Sequence, residues 1–154
     1  MEYFLIGFLC WVIFNWVASL SVLVGAEKLS RGRLPYGLMG SKEASETRYY
    51  LAHLPSGYGF SIWAPPLHII VFDKAFFQKA SADAVHFVIA HELGHRKLGH
   101  HWKRWLLVIS GLILLPAARR WLKQTELEAD MYAEHRTGLT WDRIKHRAKM
   151  ASTP

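Results

Sequence analysis

The run His91-Glu92-Leu93-Gly94-His95 sets two imidazoles four residues apart, with a carboxylate beside the first. On a helix each residue turns about 100°, so His91 and His95 stand roughly 40° apart and Glu92 lies at the edge of their face. Two neutral imidazoles and a carboxylate in one cleft suit a catalytic zinc ion, which takes three protein ligands and leaves a fourth position for water. In that chemistry His91 and His95 are ligands, Glu92 is a general base, and one further ligand has to come from elsewhere. The same pentapeptide also arises by chance in helices where the histidines are surface or capping groups. Its context here favours the chemistry. Ser81 can cap a helix whose next residues, Ala82 to Ala90, contain neither Gly nor Pro and set Val85, Val88 and Ile89 at helical spacing.

Two places could supply the third ligand. His101 stands at the offset that the pattern H-E-x-x-H-x-x-G-x-x-H requires, but Leu98 occupies the glycine position and Gly99 comes one residue late, which makes this reading weak. Further on, Thr125 to Ala133 reads as a second helix, on which Glu126, Ala129, Asp130 and Ala133 fall at i, i+3, i+4 and i+7. The two alanines would let this helix approach another closely and aim Glu126 and Asp130 at it. A solvated face is the usual place for such carboxylates, and the alanine stripe argues against it. Glu128 is about 200° round from Glu126 and should face away.

These residues, in this order, resemble the HtpX-like and CAAX prenyl endopeptidase group of membrane-associated zinc metallopeptidases, which are gluzincins. The resemblance covers about Gly59 to Ala133. It rests first on Gly59-Phe60-Ser61-Ile62-Trp63-Ala64-Pro65-Pro66-Leu67-His68-Ile69-Ile70-Val71-Phe72, similar to the pair of strands edging the family's cleft. Next come Ala90-His91-Glu92-Leu93-Gly94-His95 with Gly99-His100, and then Glu126-Leu127-Glu128-Ala129-Asp130, similar to the family's E-x-x-A-D. The resemblance implies His91, His95 and Glu126 as ligands of one zinc ion per chain and Glu92 as catalytic base. It implies that Asp130 orients a ligand imidazole by accepting its other ring N–H. The implied reaction is hydrolysis of a peptide or protein substrate without a covalent intermediate, with Glu92 carrying a proton from water to the leaving amine. The strand Leu67 to Phe72 is a candidate for pairing with an extended substrate. Tyr132, His135 and Arg136 lie off the Glu126 face, so no oxyanion stabiliser is assigned. The chain is shorter than the membrane-embedded members, so the resemblance carries over the site rather than the substrate.

Composition bounds the setting. A chain of 154 residues fits one domain, yet 51% hydrophobic residues, seven Trp and a mean hydropathy of +0.07 are rich for a soluble one. Much of the excess is local: Tyr3 to Ala26 is 24 positions without a charge, about 36 Å of helix and enough to span a bilayer. Val24-Gly25-Ala26 is similar to a signal-peptide cleavage site, but Glu2 precedes the run and Lys28, Arg31 and Arg33 follow it. The expectation is an uncleaved single-pass anchor with the catalytic domain in the cytoplasm. A second apolar run, Trp105 to Leu115, is 11 residues long, about 16 Å of helix and too short for a hydrocarbon core of about 30 Å. A crossing there would also place His91 and His95 on the opposite side of the membrane from Glu126. With Lys103 and Arg104 before it and Arg119, Arg120 and Lys123 after it, the run should pack as a core helix or lie at a lipid interface.

The net charge of +7 and pI of 9.7 invite a nucleic-acid reading. Because the charges flank apolar segments, membrane lipids are the expected partner and nucleic acid is not. The single Cys10 allows no disulfide within the chain. The fold expectation is α+β: a mostly helical minimal gluzincin domain, with a small sheet edging the cleft and an N-terminal transmembrane helix. The anchor takes residues 1–28, a linker 29–42 and the peptidase domain 43–154. Ser41 to Leu54 reads as one helix ended by Pro55-Ser56-Gly57, Gly138 as the cap of the Glu126 helix, and Thr140 as the start of a basic helix through Arg147. Histidines outside the motif read as surface or structural, with His100 and His101 closest to the site. The alternative function is a membrane-tethered binding module with a structural or degenerate zinc site, in which His100 or His101 adds a fourth protein ligand.

Overall fold

The computed structural model describes residues 6–7, 9–10, 13, 17, 21, 23–35, 41–54, 58–64, 67–109 and 115–144. Strands β1 (Glu27–Lys28), β2 (Arg48–Ala52), β3 (Gly59–Ala64) and β4 (Leu67–Asp73) form one sheet in the order β1-β2-β4-β3. β4 is interior, parallel to β2 and antiparallel to β3, with Ser61 opposite Ile70 and Gly59 opposite Phe72. Strand alternation divides the side chains. Ile70 and Phe72 join Tyr49 and Leu51 in the main core, while Ile69 and Val71 meet Ile62, Phe60 and Leu23 on the other face.

Helices α1 (Lys42–Glu46), α2 (Lys74–Lys79), α3 (Ala82–Lys97), α4 (His100–Ile109) and α5 (Pro116–Thr137) join the sheet in an α+β fold. The expected Ser81 cap is present, its Oγ accepting from Ala84 N at 3.2 Å, and α3 buries Val85, Phe87, Val88 and Ile89 against the sheet. α5 is longer than its motif. Pro116 opens it, where a missing N–H costs nothing, and Gly138 closes it at φ 69°, in the left-handed region that glycine tolerates.

One expectation is corrected. In place of a helix over Ser41–Leu54 there is the single turn α1, capped by Ser41, followed by β2. The period decides it: Tyr49 and Leu51 are buried while Arg48, Tyr50 and Ala52 are less so, an alternation no helix can satisfy. Within segment 29–42, Leu29 and Leu34 are buried in the main core. Residues 141–144 begin a helix after Thr140, and its expected continuation to Arg147 lies outside the described residues. So do residues 110–114 of the second apolar run and most of the expected anchor. Among the described residues no helix is long and apolar enough to cross a membrane.

Candidate metal centre

α3 and α5 pack side by side, and the smallest residues sit at their contact. Ala129 and Ala133 are fully buried, and a Cβ placed on Gly94 would lie 3.0 Å from Tyr132 Cδ1. Gly94, the fourth residue of the pentapeptide, therefore lets α5 approach closely enough for its carboxylates to reach the α3 imidazoles. His91 Nε2 and His95 Nε2 are 3.1 Å apart, and Glu126 Oε2 is 3.4 Å from the first and 3.5 Å from the second. Atoms about 2.0–2.1 Å from a tetrahedral zinc stand about 3.3 Å from one another, so the three edges fit one face of such a shell.

The hydrogen-bond directions sharpen the fit. Asp130 Oδ1 lies 2.8 Å from His91 Nδ1, and a carboxylate only accepts, so His91 carries its proton on Nδ1. His95 Nδ1 is 3.0 Å from His100 Nδ1, and His100 Nε2 is 3.0 Å from Glu128 Oε2. Glu128 takes the His100 Nε2–H, the neutral ring then accepts at Nδ1, and His95 must donate from its own Nδ1. Both Nε2 atoms are left as bare acceptors aimed at a third acceptor, the Glu126 carboxylate. Three converging lone pairs repel unless a cation lies between them. The electrostatics agree in sign. Burial would push the His91 imidazole down, but Glu126, Glu92 and Asp130 together outweigh it and raise it, while the two imidazoles hold Glu126 well below the usual carboxylate range.

Glu92 is buried on the α3 face that looks at β3. Ser61 of β3 donates to Glu92 Oε2, and His101 Nε2 stands 3.0 Å from Ser61 Oγ. His101 is pushed down to about 3, by burial first and then by the nearby His95, His68, Arg104 and His100. With its own proton given to Glu92, Ser61 accepts from the Nε2–H of the neutral His101 ring. A cleft of about 280 Å³ opens beside these groups, with Tyr58, Gly59, His91, Glu92, Glu126 and Asp130 in its wall.

The profile of peptidase family M48 matches residues 55–133, just over half of the chain. The chain belongs to that family. No curated protein matches it. The M48 match takes in β3, β4, α2, α3, α4 and the part of α5 that carries Glu126 and Asp130, ending at Ala133. As an M48 metallopeptidase the chain acts on peptide or protein substrates. The match is to the family as a whole and does not choose between HtpX-like and CAAX prenyl endopeptidases.

Among the described residues the group that could hold a metal ion is His91, His95 and Glu126, and neither His100 nor His101 joins it. Asp130 reaches His91. The strand expected to pair with substrate is corrected: β4 is paired on both sides, so the free edge beside the cleft is that of β3. Four contacts have no counterpart in the sequence pattern. Glu128 does turn away from Glu126, but towards His100. His100 bonds His95, Ser61 bonds Glu92, and Arg104 Nη2 lies 3.4 Å from Glu126 Oε1. The signal for His100 is Gly99, whose φ of 71° ends α3 and folds α4 back across it.

Proposed function

We propose that this M48 peptidase is a membrane-anchored, zinc-dependent endopeptidase in which His91, His95 and Glu126 hold the ion. The observation that carries the reading is the triangle of three acceptors, with edges of 3.1, 3.4 and 3.5 Å and each imidazole proton committed to a partner on its far side. When bound, zinc supplies Lewis acidity to a scissile carbonyl and to water. The chain's own groups do the rest. Glu92 accepts a proton at its carboxylate from the attacking water and delivers it to the leaving amine nitrogen. Ser61 orients that carboxylate, Asp130 holds the His91 ring, and Arg104 pairs with the Glu126 oxygen that faces away from the imidazoles. An extended peptide lies along the free edge of β3, where backbone pairing gives affinity that is largely independent of sequence.

Membrane attachment is supported by the uncharged run Tyr3 to Ala26 and by Lys28, Arg31 and Arg33, which keep the domain on the cytoplasmic side. Ile6, Leu9, Ile13 and Val17 are exposed, at the spacing of one helix stripe. Exposed Trp102 and Leu106 on α4, beside Lys103 and Arg104, suit contact with anionic lipid.

Glu92→Gln tests the core of the reading. In membranes from cells making the full chain, the variant should stay with the carbonate-resistant fraction and retain one zinc per chain. Its cleavage rate should fall by about 100- to 10,000-fold. Undiminished cleavage would sink the catalytic assignment, and release by carbonate would sink the anchor.

A further inference from the structure

The two imidazoles are supported differently. His91, whose side chain is 18% exposed, meets the Asp130 carboxylate directly, whereas His95, at 8%, meets no carboxylate on its Nδ1 side among the described residues. Between His95 and the nearest acidic group on that side stands His100, itself buried, at 3.0 Å from each. Glu128, the last member, is on the surface with 41% of its side chain exposed. The three residues come from three helices: His95 from α3, His100 from the first turn of α4 and Glu128 from α5.

Burial explains the extra ring. A carboxylate placed directly against His95 would have to leave water, at a cost that its attraction for one neutral N–H does not recover. A neutral imidazole is less costly to bury and passes the effect on. Its Nε2–H is drawn towards Glu128, which makes its Nδ1 a stronger acceptor, and hydrogen bonds in series polarise one another in this way. The stronger acceptor pulls on the His95 Nδ1–H and makes His95 Nε2 a better donor to a metal, as carboxylates do where they meet a ligand imidazole directly.

We propose that His100 and Glu128 act as one positioning unit for His95. The pair fixes the His95 ring in the tautomer that presents Nε2 and raises its donor strength while the charge stays at the surface. The proposal rests on the reading of His95 as a zinc ligand. It assigns His100 and Glu128 no contact with substrate and no transfer of a proton. It makes the site asymmetric, with a directly supported ligand in His91 and a ligand supported at one remove in His95.

The test is zinc affinity of the full chain, read by competition with a chelator and separately from cleavage. Alongside it runs the visible spectrum of the cobalt-loaded protein, which reports ligand geometry. His100→Ala should weaken zinc binding about 10- to 100-fold and alter the cobalt spectrum. His100→Gln should recover most of both, because its amide oxygen can accept from His95 while its NH2 donates to Glu128. Glu128→Ala, at the surface and harmless to packing, should give a smaller loss in the same direction. Glu128→Ala added to His100→Ala should cost nothing further, since Glu128 acts through His100. Unchanged affinity in Glu128→Ala, additive losses in the double variant, or no recovery in His100→Gln would each overturn the proposal. If His100→Ala does not fold, Glu128→Ala and His100→Gln decide it. A wild-type chain that binds no zinc would instead overturn the proposed function, so the two failures are distinguishable.

Discussion

The α3–α5 pair and α4 build the site in opposite ways. α3 and α5 are regular helices that carry all three residues of the candidate metal group, and they meet through Gly94, Ala129 and Ala133. α4 carries none of the three and leaves Trp102 and Leu106 half exposed. Yet its first two turns send His100 to His95, His101 to Ser61 and Arg104 to Glu126. The innermost atoms are thus positioned by helix periodicity and close packing, and the layer behind them by a reversal of the chain at Gly99. Close packing is unforgiving of added volume, whereas the outer layer is a set of separable hydrogen bonds, so the two should respond differently to substitution.

The largest effect is expected where packing sets the geometry. Gly94→Val would drive a branched side chain into Tyr132, whose Cδ1, Cβ and Cγ stand only 3.0 to 3.2 Å from the place that a Cβ on residue 94 would occupy. Overpacking of this kind should cost about 3 kcal/mol and spread α3 from α5, weakening zinc binding with it. Placing Tyr132→Ala in the same chain should restore much of the loss, a coupling that urea unfolding of the four variants would measure. Additivity across that cycle would mean that α3 and α5 do not meet through Gly94 at all.

That contrast also accounts for what was legible in the sequence. His91, Glu92 and His95, and likewise Glu126, Ala129, Asp130 and Ala133, are local patterns of period 3.6, which survive any uncertainty about the rest of the fold. The strand β2 was hidden because Lys42 to Leu54 contains neither Gly nor Pro and starts with a capping Ser41. Its alternation spans only five residues, too few to outweigh the helix signals around it. His100 lies five positions after His95, on the wrong side of any continuous helix. Only the turn at Gly99 brings it back, and nothing local says which way that turn folds. Glu128 reads as facing away from the site and Arg104 as a basic flank of the apolar run, because their partners, His100 and Glu126, are 28 and 22 residues away.

A smaller effect separates the buried imidazoles outside the His91–His95 pair. His68 on β4 donates from Nδ1 to Thr47 Oγ1 at 3.0 Å, and its buried Nε2 has no partner among the described residues. Burial, and then the Arg96 charge, push it down to about 4. A lowered folded-state value means that the stability it contributes is complete above about pH 6.5 and is lost as the pH falls towards 4. At pH 5 about 2 kcal/mol should be gone. His68→Gln keeps a donor for Thr47 without a titrating ring, so its stability should fall less steeply across that window. Equal slopes from unfolding at a series of pH values would remove His68 as a source of acid sensitivity and leave His101 on α4, pushed to about 3.

The smallest effect belongs to Arg104. Its guanidinium reaches Glu126 Oε1 at 3.4 Å, with both side chains about half exposed, so the pair is worth under about 1 kcal/mol and is screened by salt. Arg104→Ala should therefore leave the thermal midpoint nearly unchanged and weaken zinc binding by no more than about fivefold at low ionic strength. The remaining difference should vanish in about 1 M salt, where the screening length shrinks to about 3 Å. His100→Ala removes a buried hydrogen bond that salt does not screen, and its loss of affinity should persist under the same conditions. Measured together, the two variants ask whether α4 supports the site through buried directional bonds or through diffuse charge. A loss in Arg104→Ala that persists in high salt would mean that the guanidinium holds Glu126 as firmly as His100 holds His95, and the division between the two regions would then fail.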